Sequence, residues 1–305
     1  MFQRVALSAG CAAVTAWATN AVVADSALTS MNVAQFLALE FAAASAVLAV
    51  ATVIQGSVVT DGDGRRMAPA RAIRLRLRLV PFVLGVVGVV GTVGFQAAAF
   101  ASAPVVTANL LAYSWPLLVG LWTVITVRMS RPWLYMSIIL IGLGGVWLML
   151  DRGTTDQATC GAWGYLFAAG SALCMACFTI AAAHTRLSIA GSLLPAVATG
   201  AAAFSIVAVA TSMPWPPWTD LLHPLYLGCI PMAAGYTLWA YASARGQPAT
   251  IATLGYLTPA LSTTLLVIID PREIPSGHEL VGIALVLTCV ATTAYLTRRS
   301  RYLPD

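Results

Sequence analysis

The chain has 305 residues, of which 59% are hydrophobic and 9% charged, with a formal net charge of +5 and a mean hydropathy of +0.85. Soluble globular chains carry roughly 25% charged residues, so this composition excludes an ordinary water-soluble domain and indicates a polytopic membrane protein. Every basic residue is Arg, and the arginines sit in short loops beside apolar runs, a topology signal and not a nucleic-acid footprint.

Apolar segments near ~20 residues, the length that crosses a bilayer core, recur at 5–24, 32–54, 79–100, 105–126, 132–150, 161–183, 190–211, 223–243, 249–269 and 278–297. The first has Arg4 ahead of its apolar run and a signal-peptide-like cleavage pattern at Ala21 to Ala24. Its run is long for a signal peptide, and we read it as a mature helix, which leaves ten spans that divide five and five. It carries Trp17 and Asn20. The second span carries Glu40, the one carboxylate deep within a span, about 12 Å from the outer end at about 1.5 Å rise per residue. An acid at such a depth costs several kcal/mol unless paired or protonated, and is by default a functional candidate. Proton coupling is one role for it; a protonated side chain bonded to a neighbouring helix is the plainer one.

The third span spaces Gly85, Gly88, Gly91 and Gly94 by three and then presents Phe95 and Gln96. The glycines trace a spiral stripe that permits close helix packing. In the fourth span Asn109, Tyr113 and Pro116 follow i, i+4, i+7 spacing and are expected on one face, with Trp115 beside them. Asn is costly in hydrocarbon unless satisfied, so that face is expected to point inward. Pro116 has no N–H for the carbonyl of Ala112, which a ligand or water can use instead. The eighth span offers Tyr236 and Trp239, and the ninth Tyr256 and Pro259, with Thr253 and Thr263 nearby. For each aromatic, ordinary core packing stands beside ligand contact as a reading.

Loop charges set the orientation. Fourteen of the sixteen arginines fall on one side, six of them in the long loop 55–78, against Arg152 and Arg272 on the other. Both termini are therefore expected in the cytoplasm, in the inner (plasma) membrane of a bacterium, since Arg without Lys suggests GC-rich coding. The Arg-rich loop anchors topology, with binding to anionic membrane lipids as a lesser role. Trp215 and Trp218 read as interfacial anchors on the outer face. Cys174 and Cys177 have redox-motif spacing without the βαβ context that gives the motif meaning. His184, His223 and His278 lie far apart, so no metal site and no cofactor is expected.

One stretch occurs twice. Phe100-Ala-Ser-Ala103 aligns with Tyr241-Ala-Ser-Ala244, Gly94 with Gly235, and Tyr113-x-x-Pro116 with Tyr256-x-x-Pro259. An odd number of spans per half inverts the second half, so residues 1–152 and 153–305 are expected to be two five-helix repeats related by a pseudo-two-fold axis in the membrane plane. The fold class is thus all-α, polytopic, with ten transmembrane helices in two inverted five-helix repeats.

At these residues the chain resembles the drug/metabolite transporter superfamily and its ten-helix EamA-type members. Tyr226-Leu-Gly228, Gly235 to Tyr241 and Tyr256-Leu-Thr-Pro259 are similar to the second-half pattern, and Asn109 with Tyr113-Ser-Trp-Pro116 resembles a segment of the aromatic amino acid exporters. There are departures. The family's Trp early in each half is matched by Trp17, but Met175 stands at the second-half position. The family's second helix carries Arg near Glu40, a reversal of charge, and the acid that ends its fourth helix is missing near 127–131.

The resemblance implies a transporter working by alternating access, exporting small metabolites, with aromatic or hydrophobic amino acids as solutes. Trp17, Phe95, Tyr113, Trp115, Tyr236, Trp239 and Tyr256 would give aromatic walls, and Asn20, Gln96 and Asn109 would meet polar head groups. No Arg or Lys is expected at mid-membrane, which argues against phosphorylated solutes. The alternative keeps the fold and makes the protein a proton-coupled exporter of lipophilic cations through Glu40. An enzyme would need a cluster of Asp, Glu, His or Cys, and the sequence offers none.

Overall fold

A computed structural model describes residues 2–58, 79–126, 132–150, 162–185, 192–211, 214–246, 248–269 and 277–299. Among these residues every regular element is helical, as expected where lipid offers the backbone no hydrogen-bond partner. The chain order is α1 (Phe2–Ala18 continued by Asn20–Leu28), α2 (Val33–Val58), α3 (Leu79–Phe100), α4 (Val105–Ala112 and Trp115–Thr126) and α5 (Pro132–Leu150). It continues with α6 (Ala162–His184), α7 (Leu194–Ala210), α8 (Leu222–Leu227, Gly228–Gly235 and Tyr236–Arg245), α9 (Pro248–Leu254 and Leu257–Ile269) and α10 (Gly277–Arg299). These ten segments occupy the ten expected spans. The first four residues of the expected loop 55–78 extend α2; its remaining residues 59–78 and the loops holding Arg128, Arg131, Asp270 and Glu273 lie outside the described residues.

Four helices, Gln3–Leu28, Val33–Ile54, Leu79–Phe100 and Ala162–His184, are long and apolar enough to cross a membrane. Several of the ten helices are interrupted, and the interruptions have local causes. Pro116 and Pro259 cannot donate to the carbonyl four residues back, and α4 opens at Tyr113 and Ser114, α9 at Gly255 and Tyr256. Three-residue bonds tighten each opening: Ser114 N–H to Leu111 O at 3.1 Å, and Gly255 N–H to Ala252 O at 3.1 Å. The break therefore falls two to four residues before each proline, not at it. α1 was expected to be continuous and instead breaks at Thr19, whose hydroxyl donates to the carbonyl of Ala16 at 2.8 Å.

Two helices carry widened π turns, Val86–Gly91 in α3 and Gly228–Gly235 in α8. The second contains Pro231. At the offset that aligns Gly94 with Gly235, residues 86–91 fall opposite 227–232, so the two turns overlap.

Packing joins the halves helix by helix. α2 runs along α7 and α5 along α10, while α1 packs on α8 and α3 on α6. Exchanging each helix for the one five places on maps this pairing onto itself. The glycine stripe of α3 serves these contacts: Gly88 abuts Phe178 and Gly91 abuts Cys174, both on α6, while Gly85 and Gly94 abut Ser192 and Phe204, at and beyond the start of α7. Phe178 is buried there, packed against Tyr236. Large apolar side chains such as Val53, Ile125, Trp147, Ile206 and Ile268 remain exposed around the outside, as a lipid-facing surface requires. Trp215 and Trp218 are exposed as well.

Candidate functional site: a central aromatic cavity

A cavity opens where α1, α2, α3, α4, α6 and α8 converge. The π turn of α8 and the break in α4 border it, and the π turn of α3 ends one residue before its first lining residue there, Thr92. A π turn shifts the register of the side chains that follow and is often found at functional sites. Thr92, Val93 and Gln96 follow the turn in α3, and Pro231, Met232 and Tyr236 lie in or just after the turn in α8.

The aromatic wall is tied down by hydrogen bonds. The Trp17 indole N–H donates to the carbonyl of Pro231 at 2.9 Å, and the Tyr113 hydroxyl donates to the carbonyl of Trp17 at 3.2 Å. Trp17 also meets Tyr236 edge-on at 5.4 Å, a favoured arrangement for paired rings. Trp17 and Tyr113 thus have their polar atoms satisfied, and both line the cavity.

The polar part is small. Asn20 Nδ2–H donates to Gln96 Oε1 at 3.0 Å, joining the break in α1 to α3. The Ser171 hydroxyl donates to the carbonyl of Thr92 at 2.9 Å, and Thr92 donates to the carbonyl of Gly88. Glu40 is 2% exposed, lines the cavity, and its Oε2 has no hydrogen-bond partner. Ala112, the residue whose helical donor position is taken by Pro116, also lines the cavity.

The sequence-expected residues divide into two groups. Trp17, Asn20, Glu40, Gln96, Tyr113, Trp115 and Tyr236 line the central cavity. Phe95, expected in it, lies outside: it is 40% exposed and stacks on Phe167 at 6.2 Å. Asn109 and Tyr113 stay one helical turn apart, with the Tyr113 N–H bonded to the Asn109 carbonyl at 2.9 Å, but their side chains go to different neighbours. Asn109 turns to α9, donating from Nδ2 to Ser262 Oγ at 3.2 Å. Trp239 is fully buried, packed on Trp17 and Trp115. Tyr256 lines a different cavity, between α4, α5, α9 and α10. The two broken helices nevertheless meet, since the ring of Trp115 and Pro116 press directly against Gly255, where a side chain has no room.

Sequence reading did not single out Thr92, Ser171, Pro231 and Met232 as cavity residues. Pro231 carried a signal, being a proline within an apolar span; the other three are unremarkable in a helix. Met175, which stands where the family has Trp, lines the cavity. Cys174 and Cys177 are free thiols.

Comparison with known proteins adds three findings. The sequence profile of the EamA-like transporter family matches residues 4–151 and 162–295. The aromatic amino acid exporter YddG of Ancylobacter novellus is 29% identical over 212 residues, covering 67% of this chain and 72% of that protein. A protein of known crystal structure superposes with a TM-score of 0.74 at 26% identity, covering 97% of this chain and 99% of the other.

Proposed function

The chain belongs to the EamA-like transporter family, a ten-helix membrane fold, and on that premise we propose that it exports small metabolites, with aromatic or other hydrophobic amino acids as its solutes. The observation that carries this reading is the central cavity. It combines the rings of Trp17, Tyr113, Trp115 and Tyr236 with the Asn20–Gln96 amide pair, and among the described residues no Arg, Lys or His lines it. Flat apolar solutes with a small polar head suit such a lining, whereas phosphorylated solutes would lack a cation for the phosphate. The solute named for the Ancylobacter relative is of the same class.

In this reading the halves 1–152 and 153–305 are inverted repeats, and transport proceeds as they exchange conformations around the cavity. The overlapping π turns, the paired breaks before Pro116 and Pro259, and the self-mapping helix pairing support it. The Arg bias supports an inner-membrane protein with both termini in the cytoplasm.

Glu40 favours a second reading. A carboxylate in the cavity with an unpartnered oxygen suits proton-coupled export of lipophilic cations. A thermal-unfolding screen in detergent separates the two, because ligands that bind only the folded state raise its stability. The first reading predicts stabilisation by phenylalanine or tryptophan and little by quaternary ammonium dyes. The reverse pattern would favour the second.

A further inference from the structure

A second cavity lies among α4, α6, α8 and α9. Val119, Trp122, Ile180 and Ile251 give it apolar walls, while Thr123, Thr179, Ser243 and His184 bring polar groups. On α8, Trp239 and Ser243 are four residues apart and stand one above the other on the same face.

Trp239 separates this cavity from the central one. Its ring packs 5.1 Å from Trp17 and 5.3 Å from Trp115, both of which line the central cavity. Its indole N–H points the other way and donates to Thr179 Oγ1 at 3.0 Å, in the wall of the second. The Trp239 side chain is itself fully buried.

Ser243 supplies an independent observation. It is 4% exposed, and its Oγ is buried without a hydrogen-bond partner. Hydroxyls inside helices commonly bond back to the carbonyl four residues earlier, as Thr237 does to Ala233 at 2.7 Å on the same helix. Ser243 does not, although leaving a buried hydroxyl unmade costs free energy. The group is free to donate to, and accept from, something in the cavity. Among the described residues no carboxylate and no guanidinium lines that cavity, and its lining fits an apolar body with a hydrogen-bonding head.

We propose that this cavity is a second solute site on the transport path, binding the same flat aromatic solutes with their polar head on Ser243. Trp239 is the partition between the two sites, and a solute passes only when its bond to Thr179 breaks. The inference rests on the transport reading of the central cavity. With the Arg bias taken as the guide to sidedness, the second site lies towards the cytoplasm, and it is where a solute to be exported is first captured.

Equilibrium binding of labelled phenylalanine to the full chain in detergent tests the proposal. The wild type is expected to bind two equivalents, and Gln96→Leu to lose one of them at the central site. Ser243→Leu and Ala183→Leu, which fill the second cavity from α8 and α6, are each expected to lose the other. Wild-type binding of a single equivalent overturns the second site, a result that needs no variant to fold. So does retention of both equivalents in folded Ser243→Leu and Ala183→Leu proteins. A wild type that binds no phenylalanine contradicts the transport reading itself and removes the inference with it.

Discussion

Trp17 donates its indole N–H to the carbonyl oxygen of Pro231 across 2.9 Å, tying the first helix to the widened turn of the eighth. The bond is buried, and Gly235 one turn further on leaves space for the ring; a Cβ there would lie 2.7 Å from the indole nitrogen. Trp17→Phe keeps a ring but removes the donor, and an orphaned buried carbonyl costs about 1–3 kcal/mol. Unfolding measurements in detergent should register a loss of that size, and Gly235→Ala, which pushes the ring away, should lose solute binding as well.

Close backbone approaches make a second set of expectations. A Cβ at Gly228 would run into the backbone carbonyl of Glu40, and one at Gly255 into the ring of Trp115, whereas nothing lies within 4 Å at Gly144. Overpacking of this kind costs about 1–3 kcal/mol, so Gly228→Ala and Gly255→Ala should lower thermal stability. Gly144→Ala should be neutral or slightly stabilising, since Ala is favoured over Gly by about 1 kcal/mol inside a helix.

The difference between lining the cavity and lying beside it is also testable. Gln96→Leu removes the acceptor of Asn20 and should reduce transport of an aromatic amino acid at least ~10-fold, equivalent to about 1.4 kcal/mol. Phe95→Ala removes a larger side chain one residue away but outside the cavity, and transport should stay within about twofold of wild type. Equal losses in the two variants would contradict the assignment of the cavity.

Phe95 and Gln96 show how far the sequence could be read. The ten spans were legible because a bilayer dictates both their length and their internal hydrogen bonding. So were the irregularities in α4 and α9, through Pro116 and Pro259. The break at Thr19 and the two π turns were not legible, having no proline or other residue at their centre that demands them, apart from Pro231. These turns decide which side chains reach the cavity. Consecutive residues on a helix point about 100° apart, and of Phe95 and Gln96 only Gln96 lines the cavity, in the register that follows the turn at 86–91. Tyr113 and Tyr256 are equivalent in sequence yet line different cavities.

Glu40 distinguishes the two modes of transport. Glu40→Gln preserves the size of the side chain while removing its ability to exchange a proton. Solute flux in vesicles should be weakened but retained, with the same response to an imposed proton gradient as the wild type. Loss of all gradient-driven flux, with solute binding intact, would instead mark Glu40 as the coupling group.

Flux through the purified full chain in reconstituted vesicles tests the central claim most directly. Labelled phenylalanine should leave loaded vesicles faster when they contain the protein than when they do not, and Gln96→Leu should abolish most of that difference. Movement no faster than in protein-free vesicles, across a panel of aromatic and hydrophobic amino acids, would contradict the account.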